Sequence, residues 1–203
     1  MKISCVKKEG KQNVITIYID EEPWREIHIR IFGGQPRLPV DCASVEELRA
    51  IIDEAEYSGA KRYALRRLAA KSQPINELRQ KLAEHFVSEE SIQRIVEDCQ
   101  RLGYLNDQNW IESFVQHCIR RRVGPQVILM KLQAKGFSKE EAVEALGKIC
   151  GAGAQREQIA HLLQTRYRKH DLTDFHARHK VVQALLRKGF TMPEIQRQLK
   201  VEG

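Results

Sequence analysis

The apolar positions change their period once along the chain. Near the start they alternate in twos: Ile27, Ile29 and Ile31 are interleaved with Glu26, His28 and Arg30, the pattern of a sheet with one buried face and one wet face. Strands are predicted over Lys2 to Lys8, Asn13 to Ile19 and Trp24 to Ile31, parted by Glu9-Gly10-Lys11 and Asp20-Glu21-Glu22-Pro23, so the head reads as a small meander. Beyond the Gly33-Gly34 and Pro36/Pro39 loop, Ser44-Val45-Glu46-Glu47 forms a capping box. It opens a helix with Leu48, Ile51, Ile52 and Ala55 inward, which would cover the isoleucine face. From about Gly59 onward the apolar spacing is three and four, and the remainder reads as helices.

Those helices repeat. Lys81-Leu82, Val87-Ser88, Ile92 and Val96 match Lys131-Leu132, Phe137-Ser138, Ala142 and Leu146 at an offset of 50 residues. A third copy, offset by 53, places Leu185, Phe190-Thr191, Ile195 and Leu199 at the same points, and Lys135-Gly136-Phe137-Ser138 returns as Lys188-Gly189-Phe190-Thr191. The shared segment is mechanical. Glycine ends one helix in the left-handed conformation, an aromatic residue or Val packs inward, and Ser88, Ser138 with Glu141, or Thr191 with Glu194 caps the next helix.

A leading helix precedes each pair: Lys61 to Lys71 with Ala64, Leu65 and Leu68 inward; Asn109 to Arg121 with Trp110, Phe114 and Cys118; Glu157 to Lys169 with Ile159, Leu162 and Leu163. Pro74 and Pro125 mark second-helix starts. In the third unit a polar stretch from Lys169 to Arg178 intervenes, so its first helix either runs longer or ends in a loop. The predicted organisation is a β-meander plus helix over 1–57 and three-helix repeats over 58–105, 106–152 and 153–203.

The composition, 42% hydrophobic and 30% charged, is that of a globular chain. No apolar run approaches the ~20 residues needed to cross a bilayer, and the first residues lead into no signal-peptide core, so the cytoplasm is expected. Cys5, Cys42, Cys99, Cys118 and Cys150 form no C-x-x-C pair, which argues against zinc and a disulfide framework. The last three sit among apolar neighbours and read as small hydrophobes.

Chemistry finds little to work with. The acid pairs Glu89/Glu90, Glu97/Asp98 and Glu140/Glu141 are adjacent, so their carboxylates diverge on a helix, and first-turn acids are explained by the helix dipole. Asp174, His176 and His179 could meet at helical spacing but lack two further metal ligands. No P-loop, Gly-x-Ser-x-Gly or dinucleotide fingerprint occurs. The expectation is a protein without catalytic residues, metal or cofactor.

What remains is charge. Of the net +7, residues 1–57 carry 8 Lys and Arg against 11 Asp and Glu, whereas the rest carries 26 against 16. A basic body seeks a polyanion or an acidic protein surface. Its candidate contacts are Arg66, Arg67 and Lys71; Arg120, Arg121 and Arg122 with Lys131 and Lys135; Arg166, Arg168 and Lys169; and Arg187 and Lys188. Any one cluster is accounted for as a solvated helix end, but their recurrence in every unit is not. Arginine in the middle cluster suits bidentate contact with carboxylate or phosphate alike. Tyr104, Trp110, Phe114, Phe137, Tyr167 and Phe190 fall mostly where periodicity demands core, which leaves no base-stacking platform.

Over roughly residues 59 to 200 the body resembles the RecX family of RecA regulators. The resemblance rests on Ala64-Leu65 with Leu68 and Ser72, Glu77-Leu78 with Lys81-Leu82, Leu102-Gly103-Tyr104-Leu105-Asn106-Asp107 leading into Trp110, and Gly124 with Lys135-Gly136-Phe137-Ser138. Gly103 to Asp107 is the most diagnostic stretch; His85-Phe86 departs from the Lys-Gly joint of the other copies. The resemblance implies a mainly α fold, an elongated curved array of tandem three-helix repeats. It also implies a protein that binds the RecA filament on single-stranded DNA and blocks recombinase, ATPase and coprotease activity, a role in homologous recombination, DNA repair and the SOS response; a monomer is expected. The competing reading is a direct DNA binder using the same arginines on single- or double-stranded phosphates; a third is a protein-interaction scaffold for another client.

Overall fold

The computed structural model describes residues 1–8, 10, 13–150 and 153–201. Among them are three strands and ten helices, divided into two compact units, Met1–Asp107 and Gln108–Gly203. The turn predicted at Glu9-Gly10-Lys11 lies outside the described residues except for Gly10.

Unit 1 opens with β1 (Ile3–Lys7), β2 (Val14–Ile19) and β3 (Glu22–His28), an antiparallel sheet in sequence order. Ile3 pairs with Ile19, Cys5 with Ile17, and Ile15 with Ile27. The β2–β3 turn is shorter than predicted. Asp20 and Glu21 both adopt positive φ, 47° and 74°, as a two-residue hairpin loop requires, so β3 begins at Glu22 and carries Pro23 on the sheet edge, where a missing N–H costs least.

The third strand also ends sooner than its alternation suggests. His28 Nδ1 accepts the Arg30 N–H at 3.1 Å and starts a single helical turn, α1 (Ile29–Phe32). The period-two reading of Ile29 and Ile31 is thereby corrected: Ile27 stays in the sheet core while Ile31 turns into the helical core.

The helix expected from Ser44 and the one expected from Lys61 are a single helix, α2 (Val45–Ala70), 26 residues and about 39 Å long. Gly59 does not break it. A Cβ there would stand 2.2 Å from the Ile31 carbonyl oxygen, so this glycine lets α1 lie directly against α2. Leu48 and Ile52 of α2 seal the sheet face with Ile3, Ile15, Ile17 and Ile27. Ile51, expected inward, is exposed because the buried stripe steps by fours through Leu48, Ile52, Glu56 and Ala60. Ser44 caps α2 by accepting from Glu47 N, but Glu47 closes onto Ala43 N rather than completing the box. Trp24 is half-buried against this sheet–helix core.

The same α2 then packs α3 (Ile75–Ala83) and α4 (Glu89–Arg101) around Ala64, Leu78, Leu82, Ile92, Ile95 and Cys99. One carboxylate ties the two halves of the unit. Glu56, fully buried, accepts from Arg25 Nη2 at 2.6 Å, from Ser88 N at 3.0 Å and from Ser88 Oγ at 2.5 Å. It links the sheet, the long helix and the N-terminus of α4. Nearby, His28 and His85 stack with ring centroids 4.3 Å apart, His85 Nε2 lies 3.1 Å from Tyr63 Oη, and burial holds both imidazoles below their ordinary range. On α4, Asp98 takes hydrogen bonds from Lys61 and Tyr57, which bring its carboxyl down to about 2.

Unit 2 holds α5 (Asp107–Arg120, all but its first residue), α6 (Pro125–Gln133), α7 (Lys139–Ile149), α8 (Ala154–Thr165), α9 (Phe175–Arg187) and α10 (Met192–Val201). Ser138 and Glu141 form the full capping box. Glu194 does not serve as predicted; its carboxylate goes to Arg156 and Arg197. The third unit's first helix is shorter than Glu157 to Lys169 implies, and a turn-rich loop leads to Asp174, which caps α9 by accepting from Ala177 N.

The repeated joint is a Schellman-type turn. The amides of Val87, Phe137 and Phe190 reach back to the carbonyls of Leu82, Leu132 and Leu185, with Phe86, Gly136 and Gly189 in the left-handed region. Gly189 has a second duty. Gly124 N donates to Lys188 O at 2.7 Å and Gln126 N to Gly189 O at 3.1 Å, so the start of α6 rests on the end of α9. A Cβ on Gly189 would lie 2.6 Å from Val127 N.

Two stability outcomes are expected in chemical denaturation. Glu56→Ala leaves Arg25 and the Ser88 cap unanswered and should cost about 3–5 kcal/mol, with Glu56→Gln costing less because it retains an acceptor. Gly189→Ala should cost well over 2 kcal/mol through strain and collision together, whereas Gly103→Ala, with φ of 76° but open space around it, should cost only about 1 kcal/mol. Equal effects at the two glycines would sink the packing role given to Gly189.

Candidate partner-binding surfaces

The acid pairs are occupied structurally. Arg79 holds Glu89, Ser138 N–H draws Glu141 below its usual range, and Asp98 belongs to the network with Tyr57 and Lys61. Among the described residues no three His, Cys, Asp or Glu side chains gather as metal ligands. All five cysteines are free thiols, and burial pushes Cys99 and Cys118 up.

The basic residues fall into two groups by unit. In unit 1, Arg66 and Arg67 line an open cleft of about 640 Å³ between α1 and α2, and Arg30 and Arg62 line it with them. Lys71 is exposed at the end of α2, outside that lining. Arg67 is fixed: its Nη2 donates to Gln73 Oε1 at 2.7 Å and stands 3.8 Å from Glu77. Arg30 and Arg62 were absent from the sequence-based set. Arg62 is one helical turn from Arg66 and was legible as its i, i+4 partner; Arg30 has no local signal, since only the α1 turn brings it to α2.

In unit 2 the backbone beside the second cluster meets the backbone of the fourth. The α6–α9 backbone bonds set Lys188 beside Gly124, immediately after Arg120, Arg121 and Arg122. Lys188 is half-buried, and burial together with the charge of Arg166 lowers its pKa. The charges of Lys131 and Arg121 both reach the Cys118 thiol, opposing the rise that burial causes. Arg168, Lys169 and Arg187 are exposed, and Lys135 is half-buried at the α6–α7 joint. Among the described residues Arg120, Arg121, Arg122, Lys131, Arg166 and Lys188 make no ion pair.

Arg122, like Phe86, carries a side chain at the left-handed position of this joint. Val123 N reaches back to Cys118 O, the same joint as elsewhere, but the left-handed position, φ 56°, holds an arginine where Gly103, Gly136 and Gly189 hold glycine. An L side chain there costs about 1–2 kcal/mol, and strain of this kind gathers at functional sites.

The aromatic expectation needs two changes. Trp110, Phe114 and Phe137 stack within the unit-2 core, and Tyr167 and Phe190 are buried, but Tyr104 is 58% exposed. Phe175, at the start of α9, is 75% exposed beside His176 and His179.

Comparison with known proteins sets this beside regulators. Residues 154–199 match the family described as RecX, third three-helix domain. A regulatory protein RecX from Clostridium perfringens strain 13 is 25% identical over 193 residues, 93% of this chain and 90% of the relative. One from Lactobacillus gasseri is 29% identical over 149 residues, 73% of this chain; the match spans 54% of that longer relative. A crystal structure of a regulatory protein RecX, 23% identical, shares the fold with a TM-score of 0.64 over 97% of this chain and 98% of its own. No helix among the described residues is long and apolar enough to cross a membrane.

Arg122→Gly separates strain from use. It should raise unfolding stability by about 1 kcal/mol through relief of the left-handed strain while weakening partner binding. Gained stability with undiminished binding would remove Arg122 from the contact surface.

Proposed function

We propose that this chain, similar to regulatory proteins RecX over most of its length and matching the third three-helix domain of RecX over residues 154–199, is a non-enzymatic regulator which binds the RecA filament on single-stranded DNA and restrains its ATPase, recombinase and coprotease activities. The observation that carries the reading is the set of unpaired cations in unit 2: Arg166 acts on Lys188, whose carbonyl accepts from Gly124 N, and Arg120, Arg121 and Arg122 lie just before Gly124 in the chain, none of them with an acidic partner among the described residues. Cations held near one another with no counter-ion favour an anionic partner, and electrostatic complementarity sets specificity and on-rate. The contact set is Arg66, Arg67, Lys71, Arg120, Arg121, Arg122, Lys131, Lys135, Arg166, Arg168, Lys169, Arg187 and Lys188, acting from repeats over 58–105, 106–152 and 153–203. Several modest contacts from tethered repeats raise affinity by effective concentration. The protein acts in the cytoplasm, as a monomer and without a cofactor.

A second reading, direct binding to DNA phosphates, is favoured by one feature, the arginine cleft of unit 1. Salt separates the two, because phosphate contacts weaken steeply as salt rises.

Single-stranded-DNA-dependent ATP hydrolysis by the RecA of the same organism should fall at substoichiometric amounts of this protein. Joint replacement of Arg120, Arg121 and Arg122 by Ala should raise the half-inhibitory concentration about 10-fold or more, in line with ~1.4 kcal/mol per decade. ATPase unmoved by a large excess would sink the filament reading and leave a scaffold for another client.

A further inference from the structure

The cleft between α1 and α2 has an unusual charge make-up for a segment whose first 57 residues are net acidic. Arg30, Arg62, Arg66 and Arg67 line it, with no Asp or Glu among the lining residues. Only Arg67 is engaged, by Gln73 and Glu77; among the described residues nothing accepts from the guanidinium of Arg30, Arg62 or Arg66. Like charges this close repel one another, and an anion seated between them removes that penalty. A second hollow of about 480 Å³ shares Ile31 and Arg62 with the first and carries on to Arg37. The cations therefore form a track along α2 rather than a single nest.

We propose that this track binds the phosphodiester backbone of a nucleic acid strand. Arg62 and Arg66 are one turn apart, about 6 Å along the helix axis, a spacing suited to successive phosphates of one strand. Guanidinium is also the side chain that meets phosphate in bidentate geometry, and the cleft contains no lysine. A strand offers charge at regular intervals along its whole length, which the run from Arg67 to Arg37 can follow; a protein surface would need acids placed to match. The inference rests on the second reading above, direct binding to DNA phosphates, which it deepens by naming the strand's path and the arginines that hold it, and it is independent of the filament reading. A full chain with no affinity for the oligonucleotide would end that reading, whereas binding that ignores Arg62 and Arg66 would end this inference alone.

The test uses the full chain without RecA and follows the fluorescence anisotropy of a labelled oligothymidine across a salt series. Joint replacement of Arg62 and Arg66 by Ala should weaken binding at least about 10-fold, since two charge-assisted phosphate contacts are lost. It should also flatten the slope of log affinity against log salt by about 1.4, which is ~0.7 per lost phosphate contact on a single strand. Arg62→Lys with Arg66→Lys should keep the slope and lose part of the affinity. Should the double Ala variant misfold by circular dichroism, Arg30→Gln on the opposite wall should give a smaller loss in the same direction. Affinity and slope unchanged in a folded variant would overturn the proposal. So would polyglutamate binding as tightly as the oligonucleotide and with the same sensitivity to Arg62 and Arg66, which would assign the cleft to an acidic protein.

Discussion

The Glu56 carboxylate is the constraint around which unit 1 is arranged. A buried charge is tolerated only when it is paired and its lone pairs are satisfied, and here the partners come from three directions: Arg25 from the sheet and both the amide and hydroxyl of Ser88 from the start of α4. The sheet's placement on α2 is thus specified by hydrogen-bond geometry as well as by isoleucine packing, which alone is tolerant of sliding. Gly59 adds a second constraint one turn further on, because only a residue without Cβ admits the Ile31 carbonyl. The head is therefore continuous with the first repeat in its covalent helix and in its core, since Ile31 contributes to the cluster with Ala64 and Leu82.

The helical units show how one turn chemistry is reused with different side chains. Phe86, Gly136 and Gly189 hold equivalent left-handed positions, with the following amide bonded to the carbonyl five residues back. Glycine fills this position at least strain. At Phe86 the side chain lies against His28 with centroids 6.3 Å apart, a contact glycine could not make, so packing against the head offsets the backbone cost. At Gly189 the constraint runs the other way: the α6 backbone is so near that no side chain fits. The joint is the same, and its neighbour decides which residue it can hold.

This explains what could be read from the residues and what could not. Helical period, capping serines and helix-ending glycines are local, and Pro74, Ser88, Pro125, Ser138 and Gly189 all mark boundaries where the fold has them. The errors come where a local pattern serves a distant contact. Ile29 and Ile31 alternate like a strand but turn to reach α2; Gly59 reads as punctuation but is a packing surface inside a 26-residue helix; Glu194 sits at the capping-box position yet is claimed by Arg156. The candidate surfaces divide likewise. Arg120 to Arg122 are contiguous and conspicuous, whereas Arg30 enters its cleft only through a turn that periodicity misassigned.

Pairing finally sorts the arginines more sharply than clustering does. Arg25, Arg67, Arg79, Arg101, Arg156 and Arg197 each meet a carboxylate, and each joins separate elements or steadies a helix. Their contribution is complete within the chain. Arg30, Arg62, Arg66, Arg120, Arg121, Arg122 and Arg166 have no such carboxylate among the described residues, and Arg122 holds its position against backbone strain. Unpaired surface cations are ordinary one at a time, because water solvates them at little cost. In unit 1 a tight turn brings Arg30 to the same cleft as Arg62 and Arg66, where like charges reinforce one another's potential. A net charge of +7 on 203 residues is thus concentrated in cations that no carboxylate of the described residues answers, and these are the ones the proposed contacts use.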